Sequence, residues 1–503
     1  MFGLTAENKY LPKVADFYQN KSIFVTGTTG FVGSVLLEIL LRCCPGIKTI
    51  YILLRSKKNV EPTARKEEIF SKKIFEKLKE ENEEVLNKVH VMTGDINLPN
   101  LGLSEDDRRL LIEEVSIVMH CAANVQFNRP LRFMLENIVL GLNSVIELCR
   151  KIKKFEALVF TSTAYSNCNR IGVTLKEEIY RLPFRAEKFI EALKSNDNEK
   201  LEELVAQCKP PWPNAYTFSK CLAENLIMDT ATDLPVAIVR PSIIINICKS
   251  PLPGYEEGNT GLERLCIGVG KGFVKVVHAD PNCKLNLVPV DIVGNTHILA
   301  ACCVGLKRCS TPLIINVTAT DNFHIKLSEY VETLVEVALK RPVPQSFSKL
   351  TTCILEPSRY MYSMIAIYHH YIPAIVLDGM LKLFGGKPKL YSLYRFFDNI
   401  MASYDFFVFN DFEFERNNLE RLDKLIHPED RKDLSLDFKD ETLRDIAKKT
   451  PEVCPFYDLK IDKRSPSERQ KIIQWRYMMV TSIQGIFVLS CGLIIYFLFA
   501  LIF

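Results

Sequence analysis

The sequence predicts an α/β fold: a doubly wound parallel sheet, then a mainly helical C-terminal region and a terminal transmembrane helix. Three observations point to it. From residue 21 to about 165, short apolar strands alternate with helical segments, the rhythm of a parallel sheet with crossover helices. The first strand, Ser22-Ile23-Phe24-Val25-Thr26, runs into a turn with glycine at 27, 30 and 33, and an apolar helical pattern follows (Val35, Leu36, Leu37, Ile39, Leu40). Residues 477–503 contain no charged side chain.

Residues 1–20 lack a basic start followed by an apolar core, so they form an N-terminal segment and not a secretory signal. The strand, glycine turn and helix start that follow have the context of a dinucleotide site, although G-x-x-G-x-x-G departs from the usual G-x-G-x-x-G. Glycine backbone can approach a pyrophosphate, and the helix N-terminus offers N–H groups and partial positive charge. Thr26, Gly27, Thr29, Gly30, Phe31 and Gly33 are the expected contacts. The second strand, 49–54, ends at Arg55 with Lys57 and Lys58 behind it. An NAD site places an acidic residue here to accept the ribose 2′-OH, whereas a guanidinium suits a 2′-phosphate, so NADPH is expected.

Further strands are expected at 88–92, 116–120 and 157–161, with a helix over 137–153. Ligands bind at the carboxyl ends of such strands. There, Asp95 is placed to accept from the adenine amino group, and Ala122 lets the cofactor pass close to the backbone. Residues 170–212 break the rhythm with charged helical patterns and close at Pro210-Pro211-Trp212-Pro213, which reads as an insertion. Later strands are expected at 235–241, 285–290 and 313–317, giving a Rossmann-type domain over 21–325. A helical domain over 326–460 follows, with helical stretches at 327–339, 361–384 and 412–448.

Tyr216 and Lys220 lie four residues apart on the helix opened by Pro213-Asn214, so phenol and ammonium share one face. The ammonium favours phenolate and brings the tyrosine toward use as a general acid. A hydroxyl from Thr161-Ser162-Thr163, at a strand end, can bind the substrate carbonyl: Thr163, or else Ser162. Arg240-Pro241-Ser242 would flank the nicotinamide.

Net charge is only +4, which gives no global field for nucleic acid. The 16 cysteines stand singly or in adjacent pairs with no C-x-x-C, so no metal site is expected and a reduced, cytosol-facing compartment is. As a helix, 477–503 would extend about 40 Å, against about 30 Å of bilayer core. Lys463, Arg464, Arg469, Lys471 and Arg476 precede it, so the chain reads as single-pass, anchored in membrane lipid, with its body cytosolic. His369, His370, Pro373, Asp378 and Lys382 interrupt 361–384, which predicts a soluble or membrane-surface helix pair instead of a second span.

The set Thr26-Gly27-x-x-Gly30-x-x-Gly33, Gly94-Asp95, His120-x-Ala122-Ala123, Ser162-Thr163-Ala164-Tyr165, Tyr216-x-x-x-Lys220 and Arg240-Pro241-Ser242 resembles the extended short-chain dehydrogenase/reductase superfamily. Within it, Pro213 to Glu224 after a long insertion, and Pro373-Ala374, Asp378 and Gly385-Gly386-Lys387-Pro388, resemble the fatty acyl-CoA reductases over nearly the whole chain. The resemblance implies reduction of a long-chain acyl-CoA by NADPH, through a bound aldehyde, to a primary alcohol at an endoplasmic reticulum or peroxisomal membrane. Tyr216, Lys220 and Thr163 or Ser162 would be catalytic, and Lys220 would also hold the nicotinamide ribose. Tyr255 stands where the family often has Trp, Asn286 where it often has Asp, and Gly294 where valine is expected, which bears on chain length and not on the Tyr216/Lys220 pair. The rival readings are a membrane-bound steroid or sugar-nucleotide dehydrogenase of the same superfamily and an inactive NADPH-binding scaffold. Acyl length, organelle and oligomeric state stay open.

Overall fold

The computed structural model describes residues 10–56, 60–257, 261–340, 353–453 and 465–502. Lys57, Lys58, Lys463 and Arg464 lie outside the described residues, as does the side chain of Arg469. The chain forms two compact units. The first comprises Met1–Gly258, Asn286–His324 and Phe412–Thr442, and the second Asn259–Leu285, Ile325–Asp411 and Leu443–Phe503. The division is therefore not a single cut at 325/326.

The first unit is built on a seven-stranded parallel sheet. Its strands are β1 (Ser22–Thr26), β2 (Thr49–Leu54), β3 (Val89–Thr93), β4 (Val115–His120), β5 (Ala157–Thr161), β6 (Val236–Pro241) and β7 (Leu313–Val317). In space they run β7-β6-β5-β4-β1-β2-β3, so the order reverses between β1 and β4. That switch point is where a doubly wound sheet opens a crevice for a ligand. The strands are nearly continuous Val, Ile, Leu and Phe because helices cover both faces of the sheet. β1, β4, β5, β6 and β7 are buried along their whole length.

The insertion folds as helices Ala186–Lys194 and Asn198–Ala206, whose Phe189, Ile190, Leu193, Leu201 and Leu204 join the core of the first unit. The helix expected over 137–153 begins earlier, at Leu131, and contains a π-turn at Glu136–Leu140. The stretch 412–448 is broken up, because its first residues serve the first unit as an extended segment. The Leu175 N–H donates to Glu413 O at 2.8 Å and the Glu415 N–H to Leu175 O at 2.9 Å. Phe412 and Phe414 meet the Tyr165 ring edge-on at 5.3 and 5.4 Å.

In the second unit, Arg359–Ala366 continues through a π-turn at Ile367–Tyr371 into Ile372–Leu383. The chain then reverses into Leu390–Ala402. Asp378 makes this hairpin: its carboxylate accepts the N–H groups of Lys389, Leu390 and Tyr391 at 3.0, 3.1 and 2.9 Å, which caps the second helix. Gly385, at φ +76°, ends the first helix in the left-handed region. The sequence signature Asp378…Gly385-Gly386-Lys387-Pro388 is thus a helix-turn-helix device. The terminal helix runs Pro466–Ile502 and begins before the expected 477. Arg359–Leu383 and Gln470–Ile494 are both long and apolar enough to cross a membrane.

Candidate active site

Two glycines of the turn are required by the protein's own backbone. Gly27 has φ +84°, and a Cβ there would lie 2.7 Å from Ala122 N and Cys121 C at the end of β4. A Cβ on Gly33 would lie 2.3 Å from Gly27 O, so the helix Phe31–Cys43 packs directly on the turn. Gly30 occupies the N-cap, and no side chain caps that helix, which leaves its first N–H groups for an anion. Thr26 ties the two strand ends together: its Oγ1 lies 2.8 Å from His120 Nδ1 and accepts the Ala122 N–H at 3.3 Å. Thr28 is buried with no hydrogen-bond partner for its hydroxyl. An uncapped helix start beside a buried hydroxyl at the switch point fits the pyrophosphate of a dinucleotide.

At the end of β2 the Arg55 side chain is 56% exposed, and its Nη1 lies 3.4 Å from Asp95 Oδ2. Asp95 also accepts both N–H groups of Asn97, backbone and amide, at 3.0 and 2.9 Å. The Asn97 side-chain oxygen accepts from Asn137 at 2.9 Å, and Asn137 accepts the Asn124 N–H at 2.7 Å. A chain of amides therefore joins the end of β3 to the loop after β4. Asp95 is thus engaged with Arg55 and Asn97 where an adenine amino group was expected.

The helix Ala215–Thr230 starts at Asn214, whose side chain accepts the Thr217 N–H at 2.9 Å. Tyr216 is in the first turn, half-buried, with its ring stacked on Phe127 at 5.5 Å. One turn on, Lys220 is buried and its ammonium donates to Thr161 O, at the end of β5, at 2.6 Å. It also lies 4.7 Å over the Phe160 ring. Burial pushes this ammonium down to about 7, with Cys121 and Glu224 pulling the other way. Burial likewise holds His120 neutral, at about 3.

The two hydroxyls proposed for the substrate carbonyl have different partners. Ser162 donates to Glu224 Oε1 at 2.6 Å. That carboxylate is buried and takes Arg240 Nε and Nη2 at 2.8 and 2.7 Å. Arg240 also donates from Nη1 to Lys176 O and from Nη2 to Glu178 O, so the guanidinium itself serves the fold. Thr163 carries no such commitment to a charge: its Oγ1 donates to Pro241 O at 3.4 Å and accepts the Tyr165 N–H at 3.3 Å. His297 is a support that sequence reasoning missed. Its Nδ1 lies 2.7 Å from Val293 O and its Nε2 2.7 Å from Thr161 Oγ1, which fixes the residue that receives Lys220. Phe127 was missed too, since it sits in an irregular loop without periodicity.

Residues 25–297 match an NAD-binding family described as male sterility protein, and residues 369–450 match the Sterile family, described in the same words. Over 434 residues the chain is 33% identical to fatty acyl-CoA reductase 1 of Xenopus laevis and 32% identical to that of Homo sapiens, covering 85% of this chain and 82% of each relative. Among solved structures, it is similar to the terminal R domain from the myxalamid PKS-NRPS biosynthetic pathway. That likeness, with a TM-score of 0.58 at 19% identity over 86% of this chain and 90% of the other, is one of fold.

Proposed function

The chain belongs to the fatty acyl-CoA reductase family, and from that premise we propose that it reduces a long-chain acyl-CoA with NADPH, through a bound aldehyde, to a primary alcohol. The observation that carries the reading is the Tyr216–Lys220 pair on one helix face, with the Lys220 ammonium buried against the end of β5. Such a pair has a use in carbonyl reduction and none in a scaffold. The start of the helix Phe31–Cys43 would hold the pyrophosphate, Arg55 the 2′-phosphate and Lys220 the nicotinamide ribose. The bound cofactor supplies hydride, two equivalents for each thioester.

Thr163 and Tyr216 orient the thioester by hydrogen bonds to its carbonyl oxygen. As charge develops on that oxygen, Tyr216 gives it a proton, and the Lys220 ammonium stabilises the phenolate left behind. The resulting hemithioacetal loses CoA thiol to give the aldehyde. Tyr216, reprotonated, then delivers a second proton to the aldehyde oxygen. The terminal helix anchors the chain once in the endoplasmic reticulum or peroxisomal membrane, and Lys471 and Arg476 at its start support a cytosolic body. The test is product analysis with palmitoyl-CoA and NADPH, set against a 3β-hydroxysteroid. Tyr216→Phe is expected to abolish alcohol formation while NADPH still binds, and full activity in that variant would refute the role. Aldehyde trapping separates a two-step from a one-step reductase.

A further inference from the structure

Two polar residues of Arg359–Leu383, His370 and Asp378, are buried. His370 is fully buried, accepts the Lys275 N–H at 2.9 Å and stacks on Tyr394 at 4.6 Å. Asp378 is spent on capping the next helix, and Pro373, one helical turn and more before it, is buried as well. The opposite face is apolar and open: Ile375, Val376, Met380, Leu381, Leu383 and Phe384 are exposed, the last two at 85% and 86%. Leu383 and Phe384 stand at the hairpin turn, and the exposed Lys382, Lys387 and Lys389 lie within six positions of them in the chain. An exposed apolar turn flanked in sequence by exposed lysines is complementary to a bilayer surface with anionic headgroups.

The terminal helix supplies a second, independent observation. Gln484 is buried, and its Nε2 donates to Tyr368 O at 3.3 Å and lies 3.2 Å from His369 Nδ1. Arg476 precedes Gln484 by about 12 Å of helix. With Arg476 among the headgroups, Tyr368 and His369 are held at the depth where the acyl chains begin. We propose that the hairpin turn at residues 383–389 inserts into the outer acyl region of an anionic bilayer beside the terminal helix, so that lipid holds the second unit at two places. This rests on the terminal helix being a span.

The experiment uses the full chain carrying Phe384→Trp, in vesicles of phosphatidylcholine and phosphatidylserine, with the unsubstituted chain as reference. The introduced tryptophan is expected to emit to the blue and to be quenched by lipids brominated at shallow acyl positions, reporting a depth of about 5–10 Å. Changing Lys382, Lys387 and Lys389 to Glu is expected to reduce that quenching. Emission characteristic of water, without lipid quenching, overturns the proposal. So does self-association without lipid that Phe384→Asp abolishes, since a second copy then covers the turn. Alkaline carbonate extraction of the unsubstituted chain distinguishes the premises. Release from the vesicles overturns the span, whereas retention with an unquenched tryptophan overturns the hairpin contact alone.

Discussion

Replacing Lys220 by methionine should stabilise the first unit at neutral pH while abolishing reduction. The side chain is 2% exposed, and burial brings its ammonium down to about 7 from the ordinary 10.5. The unfolded chain therefore holds a proton between pH 7 and about 10.4 that the folded chain gives up, so stability rises with pH through that window. Below pH 7 the whole cost of burying the charge is present, on the order of 5 kcal/mol at about 1.36 kcal/mol per pKa unit. The hydrogen bond to Thr161 O offsets part of it, since losing that bond costs about 1.5–3 kcal/mol. Lys220→Met should then gain about 2–3 kcal/mol at pH 7, and the gain should shrink by about 2 kcal/mol at pH 9. Urea unfolding followed at Trp212, with Trp475→Phe in both proteins, measures this. A variant less stable than the parent at pH 7, or a difference independent of pH, would show that the ammonium is not desolvated as the fold implies. The predicted gain would instead mean that the lysine is retained for catalysis at a cost in stability, a common trade at active sites.

The two hydroxyls after β5 separate by kinetics: Thr163→Ala should lower kcat/KM by about 10²-fold, the scale of a lost oxyanion donor. Ser162→Ala should instead lower stability by about 1–3 kcal/mol, read by denaturation, because its loss strips a donor from buried Glu224. Glu224→Gln should cost about 3–5 kcal/mol by leaving the Arg240 charge buried and unpaired, and the pair Glu224→Leu with Arg240→Met should recover most of it. Arg55→Glu should raise KM for NADPH at least about tenfold relative to NADH, a change of about 1.4 kcal/mol or more, and equal effects on both cofactors would count against a 2′-phosphate contact.

The sheet was legible because each strand is a short apolar run between turns, a pattern complete within a few residues. The glycine turn, the Tyr216–Lys220 spacing and the terminal apolar run are equally local, so the sequence by itself determined the fold class, the reductase chemistry and the apolar tail. Only the tertiary structure decided what those residues meet. Ser162 and Glu224 are 62 positions apart, and nothing in either neighbourhood records that the hydroxyl is committed to the Arg240 pair. Gly27 is demanded by Ala122 across the sheet, and Asp378 by backbone groups of the following helix. Residues 259–285 and 412–442 cross into the other unit for the same reason, since their pairings join segments distant in the chain. Periodicity reports which face of an element is buried. Which buried polar group pairs with which is set by burial itself, because removal from water forces each donor and carboxylate to take whatever partner the fold brings near.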